Sequence, residues 1–132
     1  MSRIGLVSLV VREYDEALNF YCEKLGFEIA EDTPMNEGRR WVVVRPRHSQ
    51  GVNLLLAKAK NESERSAVGN QTGGRVFLFL YSDNFYQDYE AMIQKGVIFV
   101  EEPREEEYGT VAVFQDLYGT KWDLIQHKDP AK

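Results

Sequence analysis

The residue of this sequence with the clearest chemical potential is Asp123, in the stretch FQDLYGTKWDLIQ. The stretch reads as a strand, a tight turn and a second strand, and Asp123 stands on the second strand between Trp122 and Leu124. Because strand side chains alternate between faces, the acid points away from these two apolar neighbours. Such a carboxyl group could ligate a metal, bind a ligand, act as a general acid or base, or serve the fold alone.

The other reactive side chains show no pattern that predicts catalysis. Cys22 follows Leu18 and Tyr21 on the apolar face of a predicted helix, where we interpret it as a small buried side chain rather than a nucleophile. We interpret His48, in the loop RPRHSQG, and His127, after the last predicted strand, as surface residues. The segment GNQTGG precedes a strand instead of a helix, so it predicts no phosphate-binding loop.

Composition and charge exclude several classes of partner. A chain of 132 residues with 43% hydrophobic and 28% charged residues is typical of one soluble domain. The net charge of −5 argues against a nucleic-acid partner, because no basic surplus meets the phosphates. No apolar run approaches the roughly 18 residues of a membrane span, and MSRIGLVSLVV lacks the pattern of a signal peptide. With one cysteine and therefore no internal disulfide, the sequence predicts a cytoplasmic protein.

The chain contains an internal repeat. A shift of 70 residues with no gap aligns Gly26 with Gly96, and it aligns Glu13 with Asp83 just before each predicted helix. The same shift aligns two pairs of strands, WVVV (41–44) with VAVF (111–114) and NLLL (53–56) with DLIQ (123–126). We therefore interpret the chain as two similar modules.

Each module predicts the order β-α-β-β-β, which makes the fold class α+β. The first helix ends at Gly26 as its C-cap, and the second begins at Asp83 as its N-cap. Within a single domain, 1–132, the modules cover about 1–57 and 75–127. The polar linker 58–74 is either mobile or an ordered surface loop, and the acidic segment 101–109 is a second candidate for mobility.

Alternation along the strands separates two faces of the predicted sheets. One face has bulky side chains that suit packing under helices, namely Val7, Leu9, Leu54, Leu56, Phe77, Phe79, Trp122 and Leu124. The other face is also largely apolar, and it contains Leu6, Ser8, Val10, Asn53, Leu55, Val76, Leu78, Asp123 and Ile125. An apolar concavity with a few polar groups is typical of a small-molecule pocket. The alternative is that Ser8, Asn53 and Asp123 satisfy one another in a packed interior.

The paired modules, together with LVVREYDEALNFYCEKLGF and FQDLYGTKWDLIQ, resemble the vicinal oxygen chelate superfamily. This superfamily includes glyoxalase I, bleomycin-resistance proteins, fosfomycin-resistance enzymes and extradiol dioxygenases. The resemblance covers nearly the whole chain. It implies two tandem β-α-β-β-β modules whose strands curl into a cup-like, partly open barrel with the helices outside, and it implies a homodimer.

Enzymes of that superfamily hold a divalent metal inside the cup. Their ligands are His or Gln on the first strand of a module and Glu on its last strand, which the resemblance carries onto Leu6, Asn53, Val76 and Asp123. Leu6 and Val76 have no donor atom and Asn53 is a weak one, whereas a metal site needs three or four donors. We therefore predict no metal site and no cofactor.

The hypothesis that follows is a metal-free protein of the glyoxalase/bleomycin-resistance/dioxygenase type that binds a small molecule in the cup, with no nucleic-acid or membrane partner. The predicted ligand-binding residues are Leu6, Ser8, Trp41, Asn53, Leu55, Val76, Leu78, Phe114 and Asp123. The net negative charge favours a cationic or neutral ligand. The alternative is a lyase, isomerase or dioxygenase that uses Asp123 as its catalytic residue, with a degenerate or shared metal site.

Overall fold

The computed structural model describes residues 1–128, so the last four residues of the predicted domain 1–132 lie outside it. The chain divides into two compact units, one up to Val68 and one from Gly69. Each unit has its own sheet and helices, which confirms the mixed α+β class. No helix in the described part of the chain is long and apolar enough to cross a membrane.

The first unit has a four-stranded sheet in the order β1-β4-β3-β2. Its strands and helices are β1 (Leu6–Val11), α1 (Tyr14–Leu18) with its π-helical continuation (Asn19–Lys24), β2 (Glu28–Pro34), a 3₁₀ turn (Asn36–Gly38), β3 (Arg40–Arg45), β4 (Asn53–Lys58) and α2 (Glu62–Ala67). β1 runs parallel to β4, and the other pairs are antiparallel. The helix α1 packs on β3 and β4.

The second unit repeats this plan with one additional strand. Its elements are β5 (Leu78–Tyr81), α3 (Phe85–Gln94), β6 (Ile98–Phe99), β7 (Arg104–Glu106), β8 (Gly109–Gln115) and β9 (Lys121–His127). β5 is parallel to β9, while β6 and β7 pair with different parts of β8. The unpredicted β7 lies in the acidic segment 101–109, so part of that segment is strand.

Gly26 and Gly96 follow the ends of the two main helices with φ of +75° and +89°, which confirms the glycines as helix terminators. The predicted N-cap Asp83 is wrong by one residue. Asn84 caps α3, because its side chain accepts a 3.4 Å hydrogen bond from the backbone N–H of Gln87. Position alone could not decide between two adjacent residues that both cap well.

The helix α2 lies in the segment 58–74, for which the sequence predicts a mobile linker or an ordered surface loop. Asn61 caps it by accepting a 2.8 Å hydrogen bond from the N–H of Glu64. The carboxylate of Glu64 in turn accepts a 3.0 Å hydrogen bond from the N–H of Lys60. The residues NESE (61–64) therefore form a close variant of a capping box, which is a sequence signal for the start of a helix.

The cores of the two units consist of the buried strand face and the apolar helix face. In the first unit the fully buried side chains include Leu9, Val11, Ala17, Tyr21, Val42, Val44 and Leu56. In the second they include Val111, Phe114 and Leu124, with Phe85 from α3 almost as deep. The predicted division of faces is therefore correct for β1, β4 and β9.

The predicted faces of β5 are wrong. In the parallel pair, Leu78 stands opposite Trp122 and Phe79 stands opposite Asp123. Phe79 and Tyr81 therefore share the face of Asp123, where they are 58% and 71% exposed. Leu78 belongs to the opposite face, and the alternation places Val76 with it. The reason is that VFLFLY is a continuous apolar run, which has no polar alternation to specify a register.

The gap-free shift of 70 residues also fails in the last strand. Leu55 pairs with β1 and β3 in the same way that Asp123 pairs with β5 and β8. The structural equivalent of Asp123 is therefore Leu55 and not Asn53, which corresponds to a shift of 68 residues. The cause is the connection 116–120 between β8 and β9, which is two residues shorter than the connection 46–52 between β3 and β4.

Candidate functional site

A groove of about 350 Å³ opens on the less buried face of the first sheet, and all of its lining residues belong to the first unit. The residues that matter chemically are Ser8, Tyr14, Arg39, Trp41, Leu55 and Lys60. This volume lies within the range of pockets that bind small organic molecules. The groove is therefore the first candidate for a ligand site.

Three of the predicted site residues come together in this groove. Ser8 stands opposite Leu55 in the parallel pair of β1 and β4. Trp41 precedes Val43 by two residues, and Val43 stands opposite Leu55, so the indole lies on the same face. Trp41 is 37% exposed and offers an aromatic surface to a ligand.

The remaining predicted residues of the first unit lie close to the groove without lining it. Leu6 and Asn53 are register partners at the start of β1 and β4. They share the face of Ser8, and Leu6 is 38% exposed. They extend the polar and apolar surface beyond the groove.

Tyr14 and Arg40 form one wall of the groove. The backbone N–H of Arg40 donates a 3.1 Å hydrogen bond to the hydroxyl of Tyr14, and the guanidinium lies 5.1 Å above the Tyr14 ring. The same guanidinium bonds Asp15 at 2.9 Å and Asp32 at 2.8 Å. These bonds to Asp32 and Asp15 raise the pKa of Arg40, so its charge is permanent.

The groove also has cations that no acid neutralises directly. Lys58 forms an ion pair with Glu13 at 3.2 Å. By contrast, among residues 1–128 no carboxylate lies within 4 Å of the Arg39 guanidinium or the Lys60 ammonium, and both side chains line the groove. The acid of the lining is Glu64, whose carboxylate accepts the hydrogen bond from the N–H of Lys60.

Sequence reasoning missed Arg39, Lys60 and Glu64. The capping pattern around Asn61 could have revealed the helix that places Lys60 and Glu64 beside the sheet. No comparable signal marks Arg39, because an exposed arginine before a strand is common and its neighbours depend on tertiary structure.

Asp123 lies in the second unit on the face of β9 that it shares with Ile125. Its Oδ1 atom is buried, and no hydrogen-bond donor within residues 1–128 reaches it. Its register neighbours are Phe79 and Val113, both apolar. Burial raises the pKa of Asp123, the charge of Arg104 opposes that shift, and the charge of Glu101 adds to it.

Three predicted site residues of the second unit do not face Asp123. Phe114 is fully buried and stacks on Trp122, with ring centroids 5.9 Å apart and an interplanar angle of 18°. It is a core residue, because it stands opposite Trp122 on the helix-packing face. Leu78 also stands opposite Trp122, and Val76 follows the same alternation. The open face of β5 presents Phe79 and Tyr81 instead.

The second acid of FQDLYGTKWDLIQ, Asp116, has a structural role. It is 4% exposed, and its Oδ1 accepts 2.9 Å hydrogen bonds from the N–H groups of Tyr118 and Thr120. These bonds close the turn between β8 and β9, with Gly119 at φ +95°. The turn thereby sets the register that brings Asp123 to its face.

The potential metal ligands of the described residues are dispersed over the structure. Within residues 1–128 no three His, Cys, Asp or Glu side chains come close enough together to hold an ion. His48 and His127 are exposed, which confirms them as surface residues, and His127 forms the end of β9 instead of following it. Cys22 is partly buried, and burial raises the pKa of its thiol, as does Glu23, against the opposing charge of Arg47.

The comparison with known families agrees with this fold. The sequence model of the Glyoxalase/Bleomycin resistance protein/Dioxygenase superfamily matches residues 3–124. The chain belongs to this superfamily. This membership confirms the resemblance found in the sequence. The two sheets with their helices are consistent with the βαβββ fold of the superfamily.

Relatives of this superfamily member cover nearly its whole length. It is 54% identical over 124 residues to a protein of Shewanella frigidimarina, an alignment that spans 93% of this chain and 92% of the relative. It is 32% identical over 126 residues to the protein YurT of Bacillus subtilis, which spans 94% of this chain and 98% of YurT.

Two solved structures show a similar fold at useful sequence identity. UcmS2 superimposes with a TM-score of 0.83 at 33% identity, covering 95% of this superfamily member and 98% of UcmS2. TnmS3, an antibiotic binding protein from Streptomyces sp. CB03234, superimposes with a TM-score of 0.78 at 26% identity, covering 97% and 98% of the two chains.

Proposed function

We propose that this protein binds a small organic molecule reversibly in the groove of the first sheet, without a metal ion. The observation that carries the proposal is the groove of about 350 Å³, in which the exposed indole of Trp41 lies beside Ser8 and Leu55. A partly apolar concavity with an aromatic surface and a few polar groups is typical of non-covalent small-molecule binding.

The likeness to TnmS3 supports this function. TnmS3 is an antibiotic binding protein, and it is 26% identical to this chain over 97% of its length. We infer that antibiotics and similar organic compounds are the first ligands to test. Binding alone would lower the free concentration of such a compound, so the proposed action is sequestration.

The donor set supports binding without a metal. Leu6 cannot ligate an ion, and Leu55, the structural equivalent of Asp123, cannot do so either. Asp123 itself has apolar register neighbours. One carboxylate among apolar side chains does not compete with water for a divalent cation. We also propose a cytoplasmic location, which suits the single free thiol of Cys22.

Calorimetric titration of the purified protein with a panel of antibiotics tests the proposal. At least one compound is expected to bind, and its affinity is expected to be the same with and without EDTA. Leu55→Trp fills the groove and should abolish binding. Ile93→Trp places the same side chain on an exposed site of α3 and serves as the matched control.

Two results would contradict the proposed site. One is a bound compound whose affinity is unchanged in Leu55→Trp while circular dichroism shows the variant to be folded. The other is binding that EDTA removes and added Zn²⁺ or Mn²⁺ restores, which would indicate a metal-dependent protein.

A second candidate function is acid–base catalysis by Asp123. Burial raises the pKa of Asp123, and no hydrogen-bond donor among residues 1–128 engages its Oδ1. Both observations favour a carboxyl group that exchanges a proton with a substrate. Isomerisation or epimerisation of a carbonyl compound would be the matching reaction. Mass-spectrometric and chiral analysis of carbonyl compounds incubated with the parent and Asp123→Asn tests it. Turnover that survives the substitution would reject Asp123 as the catalytic residue.

A further inference from the structure

We propose that the groove of the first sheet prefers planar aromatic anions, such as aromatic carboxylates. The inference rests on the proposed function, because it specifies the ligand class of the same groove. It reverses the expectation from the whole-chain charge of −5, which favoured a cationic or neutral ligand. The net charge of the whole chain does not predict the charge preference of this groove, because cationic side chains line the groove.

The unneutralised cations lie at one end of the sheet. Val42 on β3 stands opposite Leu56 on β4, and the two strands are antiparallel. The start of β3 and the end of β4 are therefore at the same end of the sheet. Arg39 directly precedes β3 and Lys60 follows β4 by two residues, so both cations reach the groove from that end.

Three of the acids near this end already have partners. Asp15 and Asp32 bond Arg40, and Glu13 bonds Lys58. These three carboxylates offset the charges of Arg40 and Lys58. They leave the hydrogen-bond donors of the other two cations of the groove, Arg39 and Lys60, unused. An anionic group could accept hydrogen bonds from the guanidinium of one and the ammonium of the other.

Arg39 and Lys60 supply these unused donors, and neither has a carboxylate within 4 Å among residues 1–128. The hydroxyl of Tyr14 accepts from the backbone of Arg40 and still has its own proton to donate. Glu64 opposes an anion by its charge, and one of its oxygens is engaged by the N–H of Lys60. The groove thus offers more free donors than acceptors.

The aromatic part of the preference comes from Trp41 and Met35. Both line the groove, and they are 37% and 52% exposed. A planar ring gains contact area against an indole face, and a thioether makes favourable contacts with aromatic rings. An aromatic anion would place its ring on these side chains and its charged group toward Arg39 and Lys60.

Three probes that share one ring and differ in charge test the inference. They are 2-naphthoate, 2-naphthamide and protonated 2-naphthylmethylamine, titrated into the full chain by calorimetry at pH 7.5 and low salt. We expect 2-naphthoate to bind about tenfold more tightly than 2-naphthamide, since each exposed ion pair contributes a factor of a few. The advantage should shrink as salt is added.

Matched variants assign the preference to the groove. The double variant Arg39→Gln/Lys60→Gln should lose the tenfold advantage of 2-naphthoate over 2-naphthamide. Arg3→Gln/Arg75→Gln removes two exposed cations outside the groove lining, changes the net charge equally, and should retain the advantage. Glu64→Gln should strengthen 2-naphthoate binding several-fold.

The outcomes separate this inference from the proposed function. If 2-naphthamide or the ammonium probe binds as tightly as 2-naphthoate, or if both double variants lose affinity equally, the anion preference is wrong and groove binding stands. If 2-naphthoate shows no binding at millimolar concentration, the anion preference is also wrong. The antibiotic panel then decides the proposed function, which falls if no compound binds.

Discussion

The backbone N–H of Arg40 donates a 3.1 Å hydrogen bond to the hydroxyl of Tyr14, 26 residues earlier in the sequence. This bond joins the start of α1 to the start of β3. The Arg40 guanidinium covers the Tyr14 ring and also bonds Asp15 and Asp32. One wall of the groove is therefore held by side chains from a helix and two strands.

Tyr14→Phe removes the hydroxyl and leaves the N–H of Arg40 without its acceptor. We expect the free energy of unfolding to fall by about 1 kcal/mol, the usual net value of a partly buried hydrogen bond. Urea denaturation measures the change. Tyr86→Phe is the control, because its hydroxyl bonds the exposed Glu105, and a surface change of this kind alters stability by less than about 0.5 kcal/mol. Equal effects of both variants would contradict the structural role of Tyr14.

Gly69→Ala should be the more damaging of two glycine substitutions in the same loop. Gly69 has φ of +79°, and an added Cβ would overlap the carbonyl oxygen of Tyr118. Gly73 has φ of +72° and open space around it. Left-handed backbone alone costs about 1 kcal/mol for alanine, so Gly73→Ala should lose about that much and Gly69→Ala more than about 2 kcal/mol. Thermal and urea denaturation measure the free energy of unfolding of both variants. Equal losses of stability would contradict the close approach of Gly69 to Tyr118.

Asp123→Asn should preserve or increase stability near neutral pH. Burial raises the pKa of Asp123 in the folded protein, so stability falls as pH rises from the unfolded-state value of about 4 through the folded-state pKa. The asparagine never acquires charge. The expected gain near pH 7 is less than about 1 kcal/mol, because solvent screens a partly exposed carboxylate. It should vanish below about pH 4.

Urea denaturation of the parent and Asp123→Asn at pH 7 and pH 4 measures this difference. Asp83→Asn, a change at an exposed acid on the loop before α3, is the control for the loss of one charge. Clear destabilisation of Asp123→Asn at pH 7 would mean that the carboxylate has an ionic partner in solution.

Purified protein should contain much less than one divalent metal ion per chain. The reason is the donor set, since no three potential ligands cluster within residues 1–128. Elemental analysis of protein prepared without a chelator measures the ratio. A value near one for Zn, Ni, Mn or Fe that Asp123→Ala abolishes would overturn this prediction.

The protein should be a homodimer in solution. This prediction comes from the resemblance of the paired modules to a superfamily in which many members are dimers. Light scattering at micromolar protein concentration and moderate salt should give twice the mass of one chain. The mass of a single chain under those conditions would count decisively against it.

Much of the first unit could be predicted because its strands alternate clearly. On β1, Leu9 and Val11 are buried while Ser8, which points to the other face, is exposed. The same two-residue period holds on β4, where Leu54 and Leu56 are buried. One register satisfies such a pattern, so the placement of Ser8 and Leu55 on one face followed from the sequence.

The second unit was harder because its first strand is apolar on both faces. Nothing in VFLFLY distinguishes Leu78 from Phe79, and the register of β5 is determined by pairing with β9. The shorter turn closed by Asp116 also changed the correspondence between the units, which a gap-free comparison of the two halves cannot detect. The sequence does not mark Arg39 and Lys60 as site residues, because the groove exists only when separate parts of the chain come together in the tertiary structure.

The parallel pairing of β1 with β4 has a consequence for the order of folding during synthesis. The first strand of the sheet finds its partner only in the last strand, 47 residues later in register. β2 and β3, by contrast, are close in sequence and can pair as soon as both leave the ribosome. Since distant pairings form late, we expect Leu6–Val11 to wait unpaired until the chain has grown past Lys58. A nascent chain that stalls before that point would expose an apolar strand, and it should be a target for chaperones.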